Sequence, residues 1–347
     1  MAMKKTKIKL LSGNEAIVEG ALAAGLQFFS SYPITPASEI MQGIVKKQVE
    51  LKQFNFIQAE DEIAAIHMCI GASLAGAKAM TATSGPGFSL KQEAIGLAFK
   101  LAVPLVVVDC QRVGPSTGMP TLSAQGDILQ AKHGSHGDYT NIVFYPNSVK
   151  ECYQYTIEAI NAAEESLSPV ILLTDGTISH AYETVDLEKI KYSVKKRKLK
   201  PLGKGKRHFT GLTSEAGIPK TNDPAVYRHW YKMRKKEILD AAKKYNSYEF
   251  IENKKADTLL IAYGIISRVI LPLKKDYAIF RPIRLFPIIE ELEEIAKNYS
   301  KIVIIEMNDG QYKNELQAFL KRDIKLITQL GGKISLKEIK NELSESY

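Results

Sequence analysis

Three acidic residues in a row, Glu60-Asp61-Glu62, stand directly before the small-residue run Ile63-Ala64-Ala65. One acid at the start of a helix is favoured by the helix dipole, but a dipole does not call for three. A surplus carboxyl there is free for proton-transfer chemistry. Glu62, which opens the helix, is the first candidate and Glu60, two residues earlier, its rival. A second candidate is Thr35. It lies in Ser31-Tyr32-Pro33-Ile34-Thr35-Pro36-Ala37-Ser38-Glu39, where two prolines fix two backbone torsions and remove two amide donors, so the segment is a stiff loop holding one hydroxyl in a fixed direction. An ordinary rigid turn would look the same by itself. A second loop of the same kind, from Gln111 to Thr121, follows an apolar strand and begins with Arg112. A guanidinium at a strand end can grip a carboxylate through two parallel hydrogen bonds. It can equally pair with an internal acid. Ser116, Thr117 and Thr121 add hydroxyls to that loop; Thr121 is the weaker substrate contact, because loop hydroxyls often cap turns.

Two other clusters look chemical and are weaker. Gly85-Pro86-Gly87 has neither the spacing nor the lysine–hydroxyl pair of a phosphate-binding loop, so close backbone packing is expected, with Ser84 and Phe88 turned to the site. His133, His136 and Asp138 lack a convincing third ligand, and no metal is expected. His67, on the helix after the acids, reads as a core or subunit-contact histidine.

The elements that must position these residues alternate. Helical patterns cover residues 14–26, 38–49, 62–75, 92–100 and 148–165, with Ser38 as an N-cap. Between them lie short apolar strands at 28–30, 54–57, 79–83, 103–110 and 170–174; Val103-Val108 is the continuous apolar run of a strand covered on both faces. This alternation predicts an α/β fold with a doubly wound parallel sheet, in which ligands sit beyond the carboxyl ends of the strands. Residues 181–255 read as a basic irregular connection with a helix near 225–244. A second α/β unit over 256–347 has strands at 258–262 and 301–306 and helices at 288–296 and after Gln311.

Together these segments closely resemble the alpha subunit of the 2-oxoacid:ferredoxin oxidoreductases over nearly the whole chain. The resemblance rests on Tyr32-Pro33-Ile34-Thr35-Pro36, Thr83-Ser84-Gly85-Pro86-Gly87-Phe88-Ser89, the Arg112–Thr121 loop, Gln125-Gly126-Asp127, Ser135-His136-Gly137-Asp138, Phe209-Thr210-Gly211-Leu212 and Glu306-Met307-Asn308. The Gly114–Thr121 segment is more like the 2-oxoglutarate type than the pyruvate or branched-chain types. The resemblance implies that residues 1–180 are the pyrimidine-binding domain of a thiamine diphosphate enzyme, with a transketolase-C-terminal-like domain over 256–347. It places the cofactor-activating glutamate at Glu62, the 2-oxo acid at Arg112, and Thr35 near substrate and cofactor. Tyr32, Pro33, Ile34, Ser84 and Phe88 fall in the cofactor region. The implied reaction is oxidative decarboxylation of 2-oxoglutarate with coenzyme A, giving succinyl-CoA and a reduced ferredoxin or flavodoxin. A non-catalytic assembly subunit of the same fold is the alternative from another class.

What the chain lacks is equally directive. Neither Gly126-Asp127-Ile128 nor Asp175-Gly176-Thr177 has the Gly-Asp-Gly form that holds Mg²⁺ and the diphosphate in thiamine enzymes. Cys69, Cys110 and Cys152 are far apart and form no C-x-x-C, so no iron–sulfur cluster is expected on this chain. The resemblance therefore implies a beta subunit carrying Mg²⁺ and a cluster. It also implies a gamma-type subunit, and with it a small ferredoxin-like one. No apolar run is long enough for a membrane span and no secretory signal opens the chain, so a cytoplasmic protein with reduced thiols is expected. The net charge of +9 suggests nucleic acid, but residues 189–207 alone hold ten basic residues and no acidic one. The basicity is one segment, without the interleaved aromatics of a nucleic-acid surface. A solvated excursion is expected there, and after it a docking patch.

Overall fold

The computed structural model describes residues 8–51, 54–204 and 209–345. β1 (Ile8–Ser12) passes directly into α1 (Gly13–Ala23). Ser12 Oγ accepts from the Glu15 amide and the Glu15 carboxylate accepts from the Ser12 amide, closing a capping box. Then follow β2 (Phe28–Ser31), α2 (Ser38–Leu51), β3 (Asn55–Gln58), α3 (Glu62–Leu74), β4 (Ala79–Thr83), α4 (Gly85–Leu90) and α5 (Gln92–Lys100). The first half continues through β5 (Leu105–Val113), β6 (Met119–Ser123), α6 (Ile128–His133), β7 (Ile142–Phe144), α7 (Val149–Ser166), β8 (Pro169–Asp175), α8 (Gly176–His180) and β9 (Tyr182–Asp186).

Strands β7-β8-β5-β4-β2-β3 lie side by side and parallel, as the alternation of apolar runs and helices predicts. β8 is buried along its whole length and β5 along all but its last residue, because helices cover both faces. The reading departs from the structure at three places in this half. Ser38 is the first residue of α2 rather than a cap before it. Gly85-Pro86-Gly87 is the first turn of α4, a position where proline loses no needed amide. The loop after Arg112 is largely a hairpin: β5 runs on to Val113 and β6 returns antiparallel, with Arg112 opposite Ser123 and Val113 opposite Met119.

β10 (Ser214–Glu215) and β11 (Ile218–Pro219) make a small hairpin ahead of α9 (Pro224–Lys244), whose first amides are capped by Asp223. β12 (Tyr248–Ile251), β13 (Thr258–Ile261), α10 (Gly264–Val269), β14 (Ala278–Pro282), β15 (Arg284–Phe286), α11 (Glu291–Ala296), β16 (Lys301–Glu306), α12 (Gln311–Leu320), β17 (Lys325–Thr328) and α13 (Leu336–Ser344) complete the chain. The second sheet runs β12-β14-β13-β16-β17. β15 leaves that sheet and pairs antiparallel with β7, stitching the two units together. β9 pairs with β1 and β12 edges the second sheet, so the stretch read as irregular contributes two strands whose partners are distant in sequence.

The described part of the basic segment is mostly solvent-exposed, as expected, and is tethered to the first unit at a few points. Arg197 pairs with Glu164 of α7 at 3.3 Å and donates to Ser73 Oγ of α3 at 2.7 Å. The Lys195 carbonyl accepts from Lys78 Nζ at 2.6 Å, and Leu202 donates to the Leu74 carbonyl at 2.8 Å. Residues 205–207 of that segment lie outside the described residues. Among the described residues, no helix is long and apolar enough to cross a membrane. The three cysteines are free and buried.

Candidate active site

The carboxyl ends of β2, β3, β4 and β5 are neighbours in the sheet, and each releases a segment singled out in the sequence. From β3 comes the acidic cluster, and the fold gives its three members different surroundings. Glu60 and Asp61 are exposed; Asp61 caps α3, its Oδ1 accepting the Ala64 amide at 2.7 Å. Glu62 is 5% exposed. Its side chain lies against Gly87 and Thr83, and a β-carbon at Gly87 would collide with Glu62 Oε1 and Thr83 Oγ1. Close approach to this carboxylate is the physical reason for glycine there. Beneath it, Lys91 is fully buried and donates from Nζ to the Glu62 carbonyl at 3.0 Å. Burial pushes the Lys91 ammonium down to about 8, opposed by the charges of Cys69, Glu62 and Asp61.

Thr83 Oγ1 and Ser84 Oγ, at the end of β4, are buried with no hydrogen-bond partner in the described chain. Phe88 is fully buried in the apolar core. Tyr32, Pro33 and Thr35 are exposed on the loop after β2, while Ile34 packs against the core. Arg112, at the end of β5, reaches this loop: its Nη1 donates to the Thr35 carbonyl at 2.8 Å. Arg112 is 8% exposed and its Nε has no partner among the described residues, leaving donors for a ligand. Arg112 thus meets Thr35 through the backbone, not the hydroxyl.

Arg112 lines a cavity of about 810 Å³ together with Pro86, Ser89, Ser116 and Asp127, and with Asn308 and Gln311 from the second unit. Thr121 sits exposed on β6, away from this lining. His133 stacks on Tyr139 with ring centroids 4.5 Å apart, and His67 is exposed on α3 rather than in the core.

Two motifs that carried no role in the sequence meet here. Gln125 donates to the Tyr263 carbonyl at 3.0 Å and accepts from the Met307 amide at 3.0 Å. Asn308 donates to the Gln125 carbonyl at 2.7 Å and to Tyr263 Oη at 3.0 Å. These bonds hold Gln125-Gly126-Asp127 against Glu306-Met307-Asn308 and so close one wall of the cavity. Two acids, the fully buried Asp109 of β5 and the half-buried Asp127 before α6, were also missed as site residues. Burial raises Asp109 well above the carboxylate range, and the Asp127 charge raises it further. Burial raises Asp127 to about 6, against the pull of Asp109 and Arg112. No local signal separates Asp109 from any other polar residue in an apolar strand; Asp127 was legible only as part of a motif.

Residues 19–251 match the family described as pyruvate flavodoxin/ferredoxin oxidoreductase, thiamine diP-bdg (thiamine diphosphate-binding). The 2-oxoglutarate synthase subunit KorA of Methanocaldococcus jannaschii is 38% identical, over 94% of this chain and 96% of that protein. The ketoisovalerate oxidoreductase subunit VorB of Methanothermobacter marburgensis is 32% identical over 97% of both. Among solved structures, the 2-oxoglutarate:ferredoxin oxidoreductase from Magnetococcus marinus, with 2-oxoglutarate, coenzyme A and succinyl-CoA bound, superposes with a TM-score of 0.90 at 31% identity. That match covers 99% of this chain and 66% of the other. The chain belongs to the thiamine diphosphate-dependent 2-oxoacid:ferredoxin oxidoreductase family. Its residues fit the pyrimidine half of that cofactor, since the buried residue Glu62 and two orphan hydroxyls, Thr83 Oγ1 and Ser84 Oγ, lie at the same strand ends.

Proposed function

We propose that this chain is the subunit of a 2-oxoglutarate:ferredoxin or flavodoxin oxidoreductase that supplies the pyrimidine-binding half of the active site. The reaction is oxidative decarboxylation of 2-oxoglutarate with coenzyme A to succinyl-CoA, CO₂ and reduced carrier. The observation that carries this reading is the placement of Glu62: buried, its carboxyl without a hydrogen bond among the described residues, and on the same strand edge as the Arg112–Thr35 contact. Thiamine diphosphate, when bound, supplies the nucleophilic carbon and the electron sink that decarboxylation of a 2-oxo acid requires. Glu62 holds a proton at its carboxyl for the pyrimidine ring nitrogen. The Ser31–Ser38 loop and Ser84 shape the pyrimidine pocket, with Phe88 packing behind it. Arg112 grips a carboxylate of the substrate with the donors that Thr35 leaves unused, and Thr121 is the more distant substrate candidate.

Residues 1–180 form the pyrimidine-binding domain in this reading, 181–255 the connection and 256–347 the domain that closes the cavity. The diphosphate, Mg²⁺ and iron–sulfur ligands belong to a beta subunit, with a gamma-type and a small ferredoxin-like subunit completing the enzyme in the cytoplasm. Purified alone, the chain should fold and fail to reduce viologen with 2-oxoglutarate and CoA; turnover by the single chain would sink the heteromeric reading. A branched-chain substrate is the second reading, favoured by the VorB relative. In the reconstituted complex, kcat/KM for 2-oxoglutarate should exceed that for 2-oxoisovalerate and pyruvate, and the reverse order would move the protein to that subclass.

A further inference from the structure

Asp109 is fully buried in β5, three residues before Arg112, and Asp127 lines the cavity wall. Asp109 Oδ1 accepts the Gly85 amide at 3.1 Å, and the Asp127 backbone is anchored by its amide, which donates to Gln111 Oε1 at 3.0 Å. As two carboxylates the pair would be unworkable. Oδ2 of each is shut off from solvent with no donor in reach, and like charges at that separation repel strongly in a poorly solvated site. Both side chains converge on Gly85: its amide holds Asp109 Oδ1, and a β-carbon there would lie 3.9 Å from Asp127 Oδ2. A single proton between them satisfies both orphan oxygens and removes one charge.

We propose that Asp109 and Asp127 share one proton and act as a positioning pair for Arg112, keeping the cavity wall at one negative charge when the anionic substrate binds. The second half of this statement rests on the reading that Arg112 grips the substrate carboxylate. Among the described residues, Arg112 is the cation that acts on the pair. Tyr145, which donates to Asp175 at 3.0 Å, feels the Asp109 charge, and Asp309 stands on the opposite cavity wall. Glu62 lies across Gly87, and Lys132 of α6 is committed to Glu315. Losing the shared proton therefore sets a second negative charge beside Arg112. That charge competes for the guanidinium and repels a 2-oxo acid. The pair titrates as a unit, so its upper step is the one that matters for binding.

The test uses the reconstituted complex and two variants, Asp127→Asn and Asp109→Asn, each of which keeps a hydrogen bond across the pair and fixes its charge at minus one. Wild type should show a protonated-carboxyl band in the infrared difference spectrum at neutral pH, lost in both variants. Its KM for 2-oxoglutarate should rise about tenfold as rising pH removes the shared proton, with kcat changing less, and this rise should vanish in the variants. Absence of the band in wild type, a flat wild-type KM profile, or a rise retained in both variants would overturn the proposal. Arg112→Gln separates it from the functional reading: a wild-type KM in that variant with the infrared band intact would show that Arg112 does not hold the substrate, while the shared proton stands.

Discussion

Two acidic positions lie on the same edge of the eight-stranded sheet, and they are built in opposite ways. Glu62 stands alone, at the start of α3, with a capping residue beside it that relieves it of structural duty. Its carboxyl makes no hydrogen bond among the described residues. Asp109 and Asp127 both converge on Gly85 inside the wall, each with a buried Oδ2 that has no partner among the described residues, and the proposed shared proton would satisfy both. A buried polar group without a partner is costly to a folded chain. The difference teaches how to sort buried acids: an unpaired one is kept for something that arrives from outside, whereas a pair looks after itself and conditions its neighbours.

The sharpest way to break this contrast is Glu62→Gln, which preserves size but cannot pass a carboxyl proton. The complex should still assemble and retain thiamine diphosphate, while exchange of the thiazolium C2 proton for deuterium slows by about 10²–10⁴-fold. Glu60→Gln should leave exchange nearly unchanged, because Glu60 is exposed. A reversed pair of results would move the role to Glu60. Next in size is Arg112→Lys. A point ammonium cannot reproduce a planar two-bond grip while also holding the Thr35 carbonyl, so kcat/KM for 2-oxoglutarate should fall about 10²-fold. An undiminished value would remove Arg112 from the site.

Gly87→Ala probes the lone carboxyl from the other side. Its methyl group occupies the space of Glu62 Oε1, so C2 exchange should slow about tenfold even though the acid remains; normal exchange would mean that Glu62 works from another rotamer. The smallest effect belongs to Lys91→Met. Because burial lowers the Lys91 ammonium to about 8, the unfolded chain binds the extra proton between there and its ordinary value. Stability therefore rises with pH across that window, and at neutral pH the full cost of burying the charge is present. Lys91→Met should thus stabilise the fold by roughly 1–3 kcal/mol at neutral pH, with the gain fading toward about pH 10, while C2 exchange slows only a few-fold. A loss of stability at neutral pH would show that the Nζ–Glu62 carbonyl bond outweighs the buried charge.

Legibility in the sequence followed the range of the interactions. β4 and α5 begin and end where the apolar pattern places them, and Ser148 and Asp61 cap their helices through contacts within three residues. β9, β12 and β15 went unread because each owes its existence to a partner far along the chain. The site divides likewise. Thr35, Glu62 and Arg112 stand out by residue type and setting. Lys91 does not: nothing in its type or neighbours marks it, and only the packing of α3 against α4 and α5 buries it.

By itself the sequence determined which chemical groups are available, their order along the chain, and the alternation of strand and helix that delivers them to one edge of a parallel sheet. Those properties depend on side-chain type and on contacts between near neighbours. Only the tertiary structure decided which of three consecutive acids is buried and unpaired, that Arg112 meets the Thr35 loop by its carbonyl, and that Asp109 and Asp127 converge on Gly85. It also decided that the cavity's second wall comes from Met307, Asn308 and Gln311. The physical reason is that desolvation and pairing are set by everything that packs around a group, and nearly all of that arrives from elsewhere in the chain.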